Sequence, residues 1–131
     1  MELLIVDDEQ EILNMLRRTL EMEEFKVTVT ASPIEAVKLV EDRLFNLVLT
    51  DIKMPEMSGI ELLRKIKKIN PLANVIIMTG YSNMSNVVDC LGSGAMDYFV
   101  KPFTDLDLLR GALFQARDRV KRWQAAMGMN R

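Results

Sequence analysis

Apolar positions along this chain fall into two alternating rhythms. Short apolar or β-branched runs lie at 2–6, 26–30, 47–51, 74–79 and 98–100. Each is too short for a helix, and most lack polar alternation, which reads as strands covered on both faces. Between them, apolar residues recur at helical spacing. Ile12, Leu13, Leu16 and Leu20 stand opposite Arg17, Arg18 and Glu21, Val37 and Val40 lead toward Leu44, and Leu62, Leu63, Ile66 and Ile69 form a third inward stripe. A weaker segment spans about 83–93, and a long one starts at Thr104-Asp105-Leu106-Asp107. Punctuation supports these limits. Ser32-Pro33-Ile34-Glu35 and Ser58-Gly59-Ile60-Glu61 are capping boxes, Asn70-Pro71 ends a helix, and Gly94 suits a left-handed C-cap. A strand followed by a helix, repeated through the chain, predicts an α/β fold: a parallel sheet covered on both faces by right-handed crossovers.

The length of 131 residues suits one domain. Composition is that of an ordinary globular chain, 49% hydrophobic and 27% charged, with a net charge of −2 that gives no bulk attraction to nucleic acid or to an anionic membrane. No apolar run approaches the roughly 18 residues that span a bilayer, and Met1 to Asp8 lacks the pattern of a signal peptide. One cysteine, Cys90, excludes an intrachain disulfide, so a cytoplasmic location is expected. The absence of histidine removes histidine-based acid/base chemistry, His-containing catalytic triads and His-containing zinc sites.

The chemistry collects at strand ends. A carboxylate inside the 47–51 run would be a buried unpaired charge, which is very costly; Asp51 escapes because it stands last. The other runs end at Asp7-Asp8, at Thr79-Gly80 and at Lys101-Pro102. In a parallel sheet these ends share one edge, where ligands of such folds bind. Three clustered carboxylates repel unless a cation joins them, and oxygen-only ligands favour a hard ion such as Mg2+. Lys101 as a point charge and Thr79 as a donor suit a phosphoryl group beside that ion, with Asp51 as the candidate nucleophile.

With these residues in place, the chain resembles the receiver domain of two-component response regulators over nearly its whole length. The resemblance rests on Asp7-Asp8, on Asp51 with Met54-Pro55 and Gly59, on Thr79-Gly80, on Gly94-Ala95 with Asp97-Tyr98, and on Lys101-Pro102-Phe103. It implies a (βα)5 flavodoxin-like fold with strand order 2-1-3-4-5. It also implies roles: Asp51 accepts phosphate from a sensor histidine kinase, and Asp7, Asp8, Asp51 and the Lys53 backbone carbonyl hold Mg2+. Lys101, fixed by a cis bond to Pro102, pairs with the phosphoryl oxygens; Thr79 and Tyr98 form the switch. Such a domain is not an enzyme acting on separate substrates. Its expected output is an altered surface on the fourth helix, fifth strand and fifth helix, read by a downstream output domain or protein. Tyr81 would shield the acyl phosphate from water.

Plain readings exist for each residue singly: Asp7-Asp8 as a helix-dipole partner, Asp51 and Thr79-Gly80 as turn residues, Lys101 as a solvated lysine, Tyr98 as a core aromatic. Their joint arrival at one edge outweighs those readings. The methionines read as adaptable core filler and Cys90 as a semi-buried residue. A haloacid-dehalogenase-like phosphatase also places an aspartate after a parallel strand, but it wants a second acid where this chain has Lys53. In the last helix, Leu106, Leu109, Leu113, Ala116, Val120, Trp123 and Met127 follow steps of three and four, a heptad pattern. About 23 residues at 1.5 Å each reach roughly 35 Å, beyond a strand of roughly 17–20 Å. The expectation is therefore a receiver unit at 1–116 and an extension at 117–131. That extension packs on its own domain, forms a homodimer seam, or leads into an output domain of a larger regulator or hybrid kinase. Direct nucleic-acid binding is not expected.

Overall fold

The computed structural model describes residues 1–80, 84–101 and 106–128. The elements run β1 (Glu2–Val6), α1 (Gln10–Glu21), β2 (Lys26–Thr30), α2 (Pro33–Asp42), β3 (Leu47–Asp51), α3 (Gly59–Ile69), β4 (Asn74–Thr79), α4 (Met84–Gly92), β5 (Asp97–Val100) and α5 (Leu106–Ala126). The strands form one sheet in the order β2-β1-β3-β4-β5, every neighbouring pair parallel. This is the flavodoxin-like (βα)5 architecture. No helix among the described residues is long and apolar enough to cross a membrane.

Strand pleating divides the core in two. Leu3, Ile5, Leu47, Leu49, Ile76 and Met78 meet α1 and α5 on one face. Their neighbours Leu4, Val6, Val48, Val75 and Ile77 meet α2, α3 and α4 on the other. The central strands are therefore buried on both sides, as continuous apolar runs require. Each fully buried aliphatic side chain contributes about 1.5–3 kcal/mol.

Local chemistry sets the helix limits. Ser32 Oγ accepts the Glu35 N–H at 3.1 Å, and Ser58 Oγ accepts the Glu61 N–H at 3.2 Å. The Ser32 N–H donates to Thr30 Oγ1 at 3.1 Å, so the hydroxyl of β2 takes the place of the reciprocal Glu35 bond. Past α4, the Ala95 N–H reaches the Cys90 carbonyl and the Gly94 N–H the Leu91 carbonyl, with Gly94 at φ 104°. This is a Schellman closure, and it turns the chain into β5.

Several side chains depart from the sequence pattern. Ile69 ends α3 with 40% of its surface exposed, and Leu44 lies in the loop beyond the end of α2 at Asp42, 59% exposed, so neither reaches the core. Cys90 is completely buried rather than semi-buried. The methionines divide: Met78 is core, whereas Met22, Met84 and Met127 are exposed. Along α5, Leu109, Leu113, Ala116 and Val120 are all buried against the first face, and Arg119 Nη1 donates to Asn74 Oδ1 at 3.3 Å. Helix α5 is thus supported past Arg117. Beside its end, Leu44 and Asn46 of the α2–β3 loop and Asn70 and Leu72 of the α3–β4 loop line a groove of about 240 Å³ with Trp123 and Met127. The Thr104-Asp105 helix start lies outside the described residues.

Candidate functional site

Register brings the reactive side chains together. Val6 pairs with Thr50, Asp51 with Met78, and Thr79 with Val100. Asp7, Asp51, Thr79 and Lys101 therefore stand on one edge, and the Lys101 N–H donates to the Thr79 carbonyl at 2.9 Å. Above them is a cleft of about 490 Å³ lined by Asp8, Glu9, Asp51, Lys53, Thr79 and Gly80.

Asp51 ends β3 and is only 4% exposed. Its Oδ1 accepts the Ile52 N–H at 2.7 Å, and its Oδ2 lies 3.0 Å from Lys101 Nζ. The backbone behind it is pressed by Gly59, whose N–H donates to the Ile52 carbonyl at 2.7 Å. A Cβ on residue 59 would fall 1.9 Å from the Asp51 carbonyl oxygen, so only glycine fits this approach.

Lys101 is the hub. Its ammonium lies 2.7 Å from Asp7 Oδ2, 3.0 Å from Asp51 Oδ2 and 3.1 Å from Glu9 Oε1. Burial favours the neutral amine, but the facing Asp7, Asp51 and Glu9 carboxylates outweigh it and raise the pKa above the ordinary lysine value, so the group stays charged. Asp7 shows the opposite balance: burial raises its carboxyl above the usual range against the pull of Lys101 and the Glu9 N–H. Its Oδ1 accepts that N–H at 2.8 Å, while the contact of Oδ2 with Lys101 is an ion pair outside hydrogen-bond geometry.

These carboxylates fit a hard cation. Oxygens from Asp7, Asp8, Glu9 and Asp51 all lie within 4.8 Å of one another. Opposite oxygens of an octahedral Mg2+ stand about 4.2 Å apart, so small side-chain adjustments suffice, with water filling the remaining positions. The incompletely satisfied Asp7 Oδ2 is a further mark of a site that accommodates positive charge. Lys53 is exposed beside the cleft, whereas Thr79 is buried at the end of β4. Tyr98 is half-buried on β5, packed against the α2–α3–α4 face rather than fully exposed.

The structure thus gathers Asp7, Asp8, Asp51, Lys53, Thr79 and Lys101 around one edge and sets Tyr98 on the adjacent strand. Glu9 joins them although the sequence pattern did not single it out; the only signal was its place next to Asp7-Asp8. The expectations for Tyr81, for the bond to Pro102 and for Phe103 fall outside the described residues.

A parallel sheet of this order with an acid–lysine cluster at its carboxyl edge defines a doubly wound binding domain. The chain belongs to the response regulator receiver domain family, which matches residues 3–113. It is therefore a domain of the two-component signalling type. Transcriptional regulatory protein ZraR of Klebsiella oxytoca is 40% identical over 115 residues, covering 88% of this chain and 26% of that protein. The chain thus spans about a quarter of that relative's length. Among solved structures, a CheY-like response regulator receiver domain protein from Methanospirillum hungatei JF-1 is 38% identical, with a TM-score of 0.85 and coverage of 92% of this chain and 97% of the other. Response regulator protein TrrA of Thermotoga maritima, solved in complex with Mg2+-BeF, is 30% identical, with a TM-score of 0.79 and coverage of 88% and 97%.

Proposed function

We propose that this domain is a phosphorylation-dependent switch that accepts a phosphoryl group on Asp51 from the phosphohistidine of a sensor histidine kinase. The observation that carries the proposal is the Lys101 ammonium held between Asp7 and Asp51, 2.7 and 3.0 Å away. An Asp51 carboxylate oxygen forms the new bond to phosphorus as the phosphorus–nitrogen bond of the donor breaks, its electron pair leaving with the imidazole. Ile52, through its N–H on Oδ1, fixes the carboxylate's orientation. Lys101 faces Oδ2 and so meets the incoming phosphoryl oxygens. Asp7, Asp8, Asp51 and the Lys53 backbone carbonyl would hold Mg2+, which supplies charge neutralisation for the transferring group. Thr79 donates its hydroxyl to the phosphoryl group, and Tyr98 follows it inward.

The chain is a phosphoacceptor rather than an enzyme turning over a separate substrate. The output surface is α4, β5 and α5, where Met84, Val88, Val100 and Leu108 are more than half exposed and available to a partner domain or protein. In this reading 1–116 is the receiver and 117–131 leads onward, into an output domain or a homodimer seam. The domain itself contacts neither membrane nor nucleic acid, acts in the cytoplasm, and leaves any DNA binding to other parts of a longer regulator. Acetyl phosphate with Mg2+ tests the proposal: one hydroxylamine-labile phosphoryl group is expected, abolished by Asp51→Asn. Multiple turnover of phosphomonoesters would instead mark a phosphatase, and an Asp51→Asn protein labelled at the normal rate would end the proposal.

A further inference from the structure

Two features stand at the amino edge of the sheet, opposite the acid–lysine cluster, and have no part in the proposed switch. One is the groove of about 240 Å³ between the end of α5 and the loops that precede β3 and β4. Its lining is mainly apolar, from Leu44, Leu72, Trp123 and Met127. It is smaller than the roughly 300–1,000 Å³ of small-molecule and cofactor sites, and suits an inserted side chain. A second groove of about 210 Å³ shares Leu44, Asn46 and Gln124 with it and adds Lys121. Lys121 and its neighbour Arg122 are exposed and enter no ion pair among the described residues.

The other feature is a knob. Met22, in the turn between α1 and β2, is 84% exposed, more than any other large apolar side chain described. The turn holds it out firmly: the Glu23 N–H donates to the Leu20 carbonyl at 3.0 Å, and Phe25 is buried and stacked on Phe114. Acids flank it in the chain, Glu21 before and Glu23-Glu24 after. Their own partners Arg17, Arg110 and Arg117 stand 3.5, 3.5 and 3.9 Å away in pairs open to water, which hold little. The Met1 carbonyl accepts the Lys26 N–H at the end of this turn, at 3.0 Å, and Met1 also lines the second groove, so knob and groove share one surface.

A single exposed methionine is ordinary. Here, however, an apolar tip flanked by acids lies on the same surface as an apolar slot beside unpaired cations. Such a surface fits a second copy of itself across a two-fold axis, each tip entering the other's slot. The heptad stripe of α5 offers no competing seam, because Leu109, Leu113, Ala116 and Val120 are already buried in their own domain.

We infer that this chain forms a two-fold homodimer through its amino edge, Met22 of each protomer seated among Leu44, Leu72, Trp123 and Met127 of the other. The dimer leaves the Asp51 edge and the α4–β5–α5 surface of both protomers uncovered. It forms with or without phosphorylation, and the inference does not rest on the phosphoacceptor reading. Burying one methionine favours association by about tenfold or more, and symmetry counts it twice.

Sedimentation equilibrium of the whole chain, at concentrations up to about 1 mM, tests the inference. Wild type should show a monomer–dimer equilibrium that beryllofluoride with Mg2+ leaves unchanged. Met22→Ser should weaken it about 100-fold, as should Leu44→Glu, which places an acid in the slot. Both side chains are more than half exposed, so both variants should melt as wild type does. An equimolar mixture of the two should recover about tenfold, because the intact tip of Leu44→Glu enters the intact slot of Met22→Ser. A wild type that stays monomeric throughout, a Met22→Ser protein that dimerises like wild type, or a mixture without recovery overturns the inference. So does growth beyond the dimer, or a dimer that appears only with beryllofluoride, which would belong to the α4–β5–α5 surface.

Discussion

Replacing Gly59 by alanine perturbs the phosphoacceptor without touching a charged group. The new Cβ would lie 1.9 Å from the Asp51 carbonyl oxygen, 2.7 Å from Ile52 Cα and 2.8 Å from the Asp51 carbonyl carbon. An unstrained carbon–oxygen contact is about 3.3–3.6 Å, so the two segments must separate by at least about 1.4 Å. All three atoms are main chain, and no rotamer change relieves the clash. The same movement stretches the Gly59 N–H bond to the Ile52 carbonyl, and Ile52 is the residue whose own N–H orients Asp51. Overpacking of this kind costs about 1–3 kcal/mol, of which alanine's better helix propensity returns at most about 1 kcal/mol. For a domain of this size, a net loss of about 1–2 kcal/mol lowers the melting temperature by roughly 4–8 °C. A nucleophile displaced by about 1 Å loses on the order of 100-fold in rate. Thermal melts and acetyl phosphate labelling rates measure the two effects. Gly111→Ala is the control: nothing lies within 4 Å of a Cβ there, inside α5, so it should gain up to about 1 kcal/mol. A Gly59→Ala protein that melts and labels like wild type would refute the close-approach argument.

Ser58→Ala removes the hydroxyl that accepts the Glu61 N–H and should cost about 1 kcal/mol in a denaturant titration. Ser32→Ala should cost more, because Ser32 Oγ both accepts the Glu35 N–H and donates to Glu56 Oε1 at 3.3 Å; an equal loss would discount the Glu56 contact. Mg2+ at ten times its dissociation constant should stabilise the fold by about 1.4 kcal/mol, reversibly on chelation and not in Asp8→Asn, as thermal melts will report. Burial, with Asp89 alongside, raises the Cys90 thiol above its ordinary pKa. Iodoacetamide should therefore label Cys90 only after denaturant is added, and rapid labelling of the native protein would contradict its place in the core.

What the sequence made legible followed from rules that act locally or through the sheet. Asp51 was readable because a strand buried on both faces excludes charge except at its end. Ser32 and Ser58 were readable because a cap bonds only three residues ahead. Lys101 and Asp7 were readable as neighbours once the strand order was supposed, since a parallel sheet brings all carboxyl ends to one edge. Glu9 was not, because its meeting with Lys101 depends on the reach of two long side chains rather than on any periodicity. For α5 beyond Arg117 the heptad pattern left packing on its own domain as one of three readings, because a strand length does not register contacts such as Val120 in the core and Arg119 on Asn74. Glu56 adopts a left-handed φ of 73° with no glycine or asparagine to announce it.

The position of Tyr98 bears on how completely the proposed switch can turn. Moving a two-state domain from almost wholly inactive to almost wholly active needs about 5.5 kcal/mol of preference. A Thr79 hydrogen bond to a charged phosphoryl oxygen contributes about 1.5–3 kcal/mol. Full burial of a large side chain from water contributes about 1.5–3 kcal/mol, but Tyr98 already packs half-buried against the α4 face, so much of that gain is present before phosphorylation. The two together fall short, and Lys101 adds little because it exchanges existing carboxylate partners for phosphoryl ones. On the proposed reading the remaining preference comes from the partner. Met84 and Val88 on α4, Val100 on β5 and Leu108 on α5 are exposed apolar side chains whose burial against an output surface favours the active arrangement. Phosphorylation and partner binding then strengthen each other by the same factor, and the isolated domain remains a partial switch.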